Sequence, residues 1–445
     1  MKNEAEKAFE FHLKMRGNLN EAMKLGHILV LDIGSLKICS AIIEYGHHPQ
    51  HHKLRKGMFA KGFGCKINGF FYSKSRGISN GEIVDVKEAA SAISENINHT
   101  LNEAQQACPY VLISYSGEVL SSQIYRGSVE LDSQIVSEFH IARAINNCRI
   151  SGLIKGQEFL HAHPVNFSID QRKGMLDPRG KSGNRLAVDV HAITVGANAI
   201  EAIYETINLC GLKLAGIHSE AYASGLSTLV EHEQEIGTVI VNIGHSVTSI
   251  GGFNRKHMLF TDSIPIGSGH ITYDICEAFS VSEEQAEYWK ILYGGVFATP
   301  ADDKVICRSQ DGYQDPVISK AHLIGVIYPR VEEILEHLSI VLQSFQWGQP
   351  GSQQIVFTGG GSLLTGFDDL IREKFGHGIR IGRPVQLTGF PAASLAPPIS
   401  SLIGLCLLVT QPQDEVWDFI KFDEYPPSTF VGQITEFLTW LQKEW

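Results

Sequence analysis

The eight cysteines form no C-x-x-C pair and no Cys/His set with zinc spacing, so the sequence carries neither a disulfide framework nor a structural zinc motif. They read as free thiols of a reducing compartment. No apolar run reaches the roughly 20 residues that a spanning helix needs, and Leu402–Val409 is the longest candidate. The N-terminus is charged (Lys2, Glu4, Glu6, Lys7) and lacks a signal-peptide core. There is no basic excess either. A net charge of −11 excludes a chain that binds nucleic acid as a whole. What is present is ordinary globular composition, 43% apolar and 19% charged. At 445 residues the chain is too long for one core, and two to four domains are expected.

The most informative stretch is Ile355–Gly366. An apolar strand, Ile355–Phe357, runs into Gly359, Gly360 and Gly361, then Ser362, with a helix expected from Gly366 to Phe375. Glycine lets a ligand approach the main chain closely, and N–H groups at a helix start favour a polar or anionic ligand. The stretch reads as a nucleotide shelf. Two further segments share one pattern, apolar, Asp or Asn, Ile, Gly, then small or polar: Leu31–Lys37 and Val241–Val247. Each lies between two strands and reads as a hairpin with a tight turn. Asp32 and Asn242 are 210 residues apart, which indicates an internal duplication of domain size. Two facing turns suggest two lobes closing on a triphosphate. Main-chain N–H groups and Lys37 would hold phosphates, and Asp32 would hold hydrated Mg²⁺. Two ordinary hairpins would look the same locally.

Residues 108–193 change texture and read as a small α+β unit interrupting the first lobe: strands Tyr110–Tyr115 and Ser122–Glu130, a helix Ser137–Asn147, then strands Glu158–Asp170 and Arg185–Thr194 joined by a turn-rich loop, Gln171–Asn184. His161 and His163 share one strand face but lack a third metal ligand. His47, His48, His51 and His52 sit in a basic stretch read as a solvated hairpin loop. Ser282–Gln285 is a capping box that starts a helix on which Glu287 and Lys290 are neighbours, locally no more than a surface ion pair. A long helix, Ile324–Phe345, carries an apolar stripe. Residues 411–427 are acidic and contain proline, and read as a polar linker. Beyond them Phe430, Val431, Ile434, Phe437, Leu438, Leu441 and Trp445 recur at helical spacing, with Trp440 flanking that face and Ser428 able to cap it. The composition fits interfacial membrane insertion; docking on the body or on a partner is the alternative.

Together these features resemble the FtsA family of bacterial actin-like cell division proteins, over residues 27–445. LDIGSLK resembles the first phosphate loop of the actin superfamily, VNIGHSV sits where the second should be, and IVFTGGGSLLTG resembles the adenosine motif. Ser75–Ile78 with Gly81–Asp85, Ile266–Asp274 and Ile381–Pro384 are similar to family stretches, as is the closing Trp440–Trp445. The resemblance implies an α/β fold of two duplicated ribonuclease-H-like lobes with a small subdomain in the first. The first lobe would comprise 27–107 and 194–236, completed by about 386–411. The second-lobe core would be 237–270 and 351–385, with 271–350 as its outer subdomain. Residues 1–26 would be an amphipathic or frayed extension, 412–427 a linker and 428–445 a membrane-targeting helix.

The resemblance also implies cofactors and partners. ATP with Mg²⁺ would contact Asp32, Gly34, Ser35, Lys37, Asn242, Gly244, His245, Ser246, Val247, Gly359, Gly360, Gly361 and Ser362. Glu287 and Lys290 would reach ribose and adenine, and Glu220 would orient the attacking water. The partners would be the FtsZ C-terminal peptide, other division proteins, further copies of the chain in a polymer, and the cytoplasmic face of the inner membrane at the septum. Three departures stand out. Asn242 replaces the superfamily Asp, His245 and Ser246 replace glycines, and Val247 replaces a common Thr. A small-molecule kinase on the same fold would need an Asp base that the sequence does not offer. An actin-like scaffold of a pilus or secretion apparatus would share the nucleotide motifs and bind a different peptide.

Overall fold

The computed structural model describes residues 4–45, 65–148, 156–307, 318–345, 354–376, 378–410 and 414–419. The His-rich stretch 47–52 and the expected tail helix 428–445 lie outside them. The N-terminal segment, expected to be amphipathic or frayed, is ordered from Glu4. It forms a helix, α1 (Glu4–Leu25), packed on the first lobe. Met15 and Ala22 enter the core, and Asn18 Nδ2 donates to Leu214 O at 2.8 Å.

The first lobe follows as β1 (His27–Ile33), β2 (Lys37–Tyr45), β3 (Cys65–Lys74), a short hairpin of β4 (Ile78–Ser79) and β5 (Glu82–Ile83), α2 (Val86–Ala104) and β6 (Tyr110–Tyr115). β1 and β2 pair antiparallel with Ile33 opposite Ile38, so the chain reverses within residues 34–37. Both strands are almost wholly buried, as expected of strands covered on two faces. Asp85 caps α2, its carboxylate accepting from Lys87 N at 3.0 Å and Glu88 N at 2.9 Å.

The chain then leaves the lobe. β7 (Leu120–Glu130), α3 (Glu138–Asn146), β8 (Gln157–Ile169), β9 (Arg172–Met175) and β10 (Arg185–Gly196) build a separate four-stranded sheet in the order β7-β10-β8-β9, with α3 packed against β7 and β10. The loop expected over Gln171–Asn184 carries β9, a strand too short for its periodicity to register. α4 (Ala197–Leu209), β11 (Lys213–Ser219), α5 (Glu220–Thr228) and α6 (Glu231–Ile236) bring the chain back. The first-lobe sheet is ordered β3-β2-β1-β6-β11.

The second lobe repeats the plan. β12 (Thr238–Ile243), β13 (Thr248–Asn254) and β14 (His257–Ile264) form an antiparallel meander. α7 (Ser268–Phe279), α8 (Glu283–Tyr293), the pair β15 (Val305–Cys307) and β16 (Ile318–Ser319), and α9 (Lys320–Ser344) follow as an outer layer. β17 (Gln354–Thr358), α10 (Phe367–Phe375) and β18 (Ile379–Ile381) complete a sheet ordered β14-β13-β12-β17-β18. Both lobes thus have three antiparallel strands followed by two parallel ones, in the same spatial order. α11 (Ser400–Thr410), uncharged and mostly apolar, is buried beside α5, and this helix pair lies between the two sheets. Residues 414–419, within the expected linker, are folded against the body. Val416, Trp417 and Phe419 are buried in the core of the inserted subdomain.

Candidate functional site

The two phosphate-loop candidates adopt one geometry. Gly34 N donates to Lys37 O at 3.1 Å, and Gly244 N donates to Val247 O at 3.0 Å. A Cβ on Gly34 would sit 3.0 Å from Lys37 O and one on Gly244 2.7 Å from Val247 O, which is why both positions are glycine. The turns cap β1 and β12, the central strands of their sheets, and so present main chain at corresponding points of the two lobes. Around the first turn, Ser35 Oγ accepts from Gly81 N at 2.8 Å, and Lys37 Nζ donates to Pro398 O at 3.0 Å, linking it to the segment before α11.

The second turn is braced by α7. Ser268 N donates to Gly244 O at 2.8 Å and Gly269 N to His245 O at 2.6 Å. The His245 ring fills the space beside Gly269, where a Cβ would lie 2.5 Å from it. Burial and then Lys290 hold His245 below the ordinary histidine range. Ser246 lies in this turn, part-exposed. Val247 is 4% exposed and takes part through its carbonyl.

The glycine shelf follows β17. Gly359 has φ +87°, and a Cβ there would stand 2.2 Å from Asn242 Oδ1 and 2.5 Å from Ile243 O. The shelf therefore abuts the second turn directly. Gly360–Leu363 forms a tight 3-10 turn before α10, so the helix does not start at the shelf itself. Ser362 is fully buried and its hydroxyl donates to Gly359 O at 2.8 Å, which braces the shelf.

Glu287 and Lys290 depart from the simple surface pair. Lys290 is 7% exposed; its Nζ lies 2.7 Å from Glu287 Oε2, 2.7 Å from Thr272 Oγ1 and 2.9 Å from Ser268 O. Burial lowers the Lys290 pKa, against the pull of Glu287. Glu287 stays below the usual carboxylate range through Lys290 and Thr272, despite its desolvation. These charges sit beside the second turn.

At the floor, Asp32 is 8% exposed and accepts from Ser114 Oγ at 2.5 Å. Burial raises its pKa, offset by Ser114 and Lys37. Glu220 begins α5 and accepts from Ser249 Oγ at 2.7 Å. Burial, then the Asp32 charge, push it up to about 7. A carboxyl group poised there is a functional-site mark. Among the described residues no three His, Cys, Asp or Glu side chains form a metal cage. Mg²⁺ commonly keeps several waters and uses one or two carboxylates plus phosphates. The donor set of Asp32 fits that hydrated mode and no all-protein cage.

A second polar cluster, unrelated to the cleft, was not foreseen. His12 stacks on Trp417 with ring centroids 4.0 Å apart, and its Nε2 lies 3.0 Å from Phe159 O. His163 Nε2 lies 3.4 Å from Glu415 Oε1, and Trp417 Nε1 donates to Glu415 Oε2 at 2.7 Å. Arg16 pairs with Asp418 through both carboxylate oxygens. His161 stacks on His163 at 4.7 Å, as their alternate placement required. No spacing in the sequence signals this meeting of α1, the inserted sheet and residues 414–419.

The comparisons with known proteins agree with this architecture. The family model described as "Cell division protein FtsA" matches residues 239–404, and that described as "SHS2 domain inserted in FTSA" matches 117–194. The cell division protein FtsA of Agrobacterium fabrum is 29% identical over 390 residues, 86% of this chain and 87% of its own. That of Escherichia coli is 26% identical over 387 residues, 85% of this chain and 89% of its own. Among solved structures, the PilM-PilN type IV pilus biogenesis complex aligns with TM-score 0.60 at 16% identity, covering 86% of this chain and 99% of that one. An MreB protein of Spiroplasma citri bound to ADP aligns with TM-score 0.50 at 12% identity, covering 86% and 95%. The fold is actin-like, with a small α+β subdomain inserted in the first lobe, and the chain belongs to the FtsA family of cell division proteins.

Proposed function

We propose that this protein binds ATP between its lobes, polymerises at the division site and tethers the FtsZ ring to the cytoplasmic face of the inner membrane. The observation that carries the reading is the pair of equivalent glycine turns on β1 and β12, closed by matching Gly34–Lys37 and Gly244–Val247 bonds, in a chain of the FtsA family. The turn main chains and Lys37 would bind the phosphates. Gly359–Gly361 would carry the adenosine, with Glu287 and Lys290 at its ribose and adenine. Asp32 would hold hydrated magnesium, which when bound neutralises phosphate charge. Glu220 would orient water, and any turnover would be slow.

The aromatic and aliphatic face Phe430–Trp445 would insert into the bilayer interface. Its polar side bears Lys443 against Glu436 and Glu444, so hydrophobic insertion, multiplied by polymer avidity, must supply the binding. No helix among the described residues is long and apolar enough to cross a membrane, which suits peripheral attachment. Residues 271–350 would receive the FtsZ C-terminal peptide. Head-to-tail contacts between copies would give open filaments. The test is fluorescence anisotropy with a labelled FtsZ C-terminal peptide. Saturable binding is expected, and no binding at millimolar protein would refute the division role in favour of a scaffold with another peptide partner.

A further inference from the structure

Where the lobes meet, the cleft floor is lined by hydroxyls and one amide. Glu220, on α5, accepts from Ser249 Oγ and, at 3.4 Å, from Ser401 Oγ on α11. Asn242 Nδ2, at the end of β12, donates to Ser224 Oγ at 2.9 Å and to Ser401 Oγ at 3.3 Å, and the Asn242 side chain also hydrogen-bonds the Glu220 carboxylate. Asn242 and Ser401 are each 3% exposed and Ser224 is fully buried, so bulk water does not supply substitute donors.

The direction of these bonds matters. A serine hydroxyl has one proton to give, whereas a primary amide has two and a carboxylate none. Because Asn242 donates, Ser401 accepts from it and keeps its single proton for Glu220. An aspartate at 242 would take that proton, leave the Glu220 oxygen without it, and add a like charge beside Glu220 and Asp32. The asparagine is thus more than a missing carboxylate.

We infer that Asn242 is a positioning residue: directly and through Ser401 it aims the Glu220 carboxylate, making that aim depend on how the second lobe sits on the α5–α11 pair. The inference rests on the nucleotide reading and deepens it. It assigns the lobe-to-lobe contact at the floor a role in turnover, carried by a neutral relay.

The test uses the full chain and two readouts, dissociation constant for a fluorescent ATP analogue and single-turnover phosphate release. Ser401→Ala and Asn242→Asp should each slow release about tenfold, the loss of one hydrogen bond to a charged group, and Ser401→Ala should leave the dissociation constant within about threefold. The double variant should be no slower than Asn242→Asp alone, because the aspartate already takes the Ser401 proton. Ser401→Thr, which keeps a hydroxyl, should run at least about threefold faster than Ser401→Ala. Additive losses, Ser401→Thr as slow as Ser401→Ala, wild-type release by Asn242→Asp, or a wild type that binds ATP without turnover would overturn the inference. A wild type that binds no nucleotide would overturn the nucleotide reading itself.

Discussion

Lowering the pH from 7.5 to 5 should loosen the junction of α1, the inserted subdomain and the first lobe. His12 and His218 are held at about 4 and His191 at about 3, in each case mainly by burial, against an ordinary value of 6.5. His161, fully buried with neither ring nitrogen hydrogen-bonded, is pushed well below 6.5 as well. The charges facing this seam are Arg16 from α1 and Glu415 and Asp418 from the segment after α11; His163 on β8 and Tyr222 on α5 complete it. A histidine whose folded pKa is depressed contributes its full stability above 6.5. Between 6.5 and its folded value the unfolded chain binds the extra proton, so stability falls as pH falls. By linkage each of His12, His191 and His218 gives up on the order of 2 kcal/mol by pH 5. Glu220, raised to about 7, works the other way: protonated in the fold, it returns on the order of 2 kcal/mol over the same window, and Asp32 adds to that. The net loss from His12, His191, His218 and Glu220 is about 4 kcal/mol, with His161 adding to it and Asp32 opposing it, a large part of a typical domain's 5–15 kcal/mol. Thermal melts at pH 7.5, 6 and 5 should show a midpoint falling by roughly 4 °C, with His218→Asn flattening the slope. A midpoint constant to within a degree from 7.5 to 5 would refute the buried, neutral seam.

Other consequences are more local. Arg16→Ala removes a half-buried partner of Asp418 and should cost roughly 1–3 kcal/mol, with faster hydrogen exchange over 414–419 and unchanged exchange in α10. Gly359→Ala forces a side chain into a left-handed turn with its Cβ 2.2 Å from Asn242 Oδ1, and should cost about 1–3 kcal/mol in denaturant melts and abolish nucleotide binding. Lys290→Met strands the Glu287 carboxylate and should weaken binding of a fluorescent ATP analogue about tenfold.

The duplicated hairpins were legible because Asp32-Ile33-Gly34 and Asn242-Ile243-Gly244 mark a turn whose chemistry is local. Gly359 was legible for the same reason, since its positive φ is a backbone demand. The Ser282 cap and the stripe of α9 follow from short-range rules, and the structure confirms Ser282 Oγ accepting from Gln285 N at 3.2 Å. What stayed hidden depends on partners far apart in the chain. Lys2, Glu4 and Glu6 made the N-terminus read as an amphipathic or frayed extension with no stated partner, yet His12, Arg16 and Asn18 find partners in Phe159, Asp418 and Leu214. The acidic Asp414–Asp418 looked like linker because Trp417 and Phe419 have no periodic context; their pocket lies in the inserted subdomain. Ser224, Ser249 and Ser401 carry no sequence signal at all, since a serine that bridges two lobes looks like any other.

The proposed tether is tested most directly by vesicle flotation of FtsZ. The cut belongs after Glu424, because removing 414–419 would also strip Trp417 and Asp418 from the folded body. With the full chain and ATP, FtsZ should float with phospholipid vesicles; with the truncated chain it should stay in the dense fraction while still binding that chain in solution. Equal flotation of FtsZ with both chains would contradict the account.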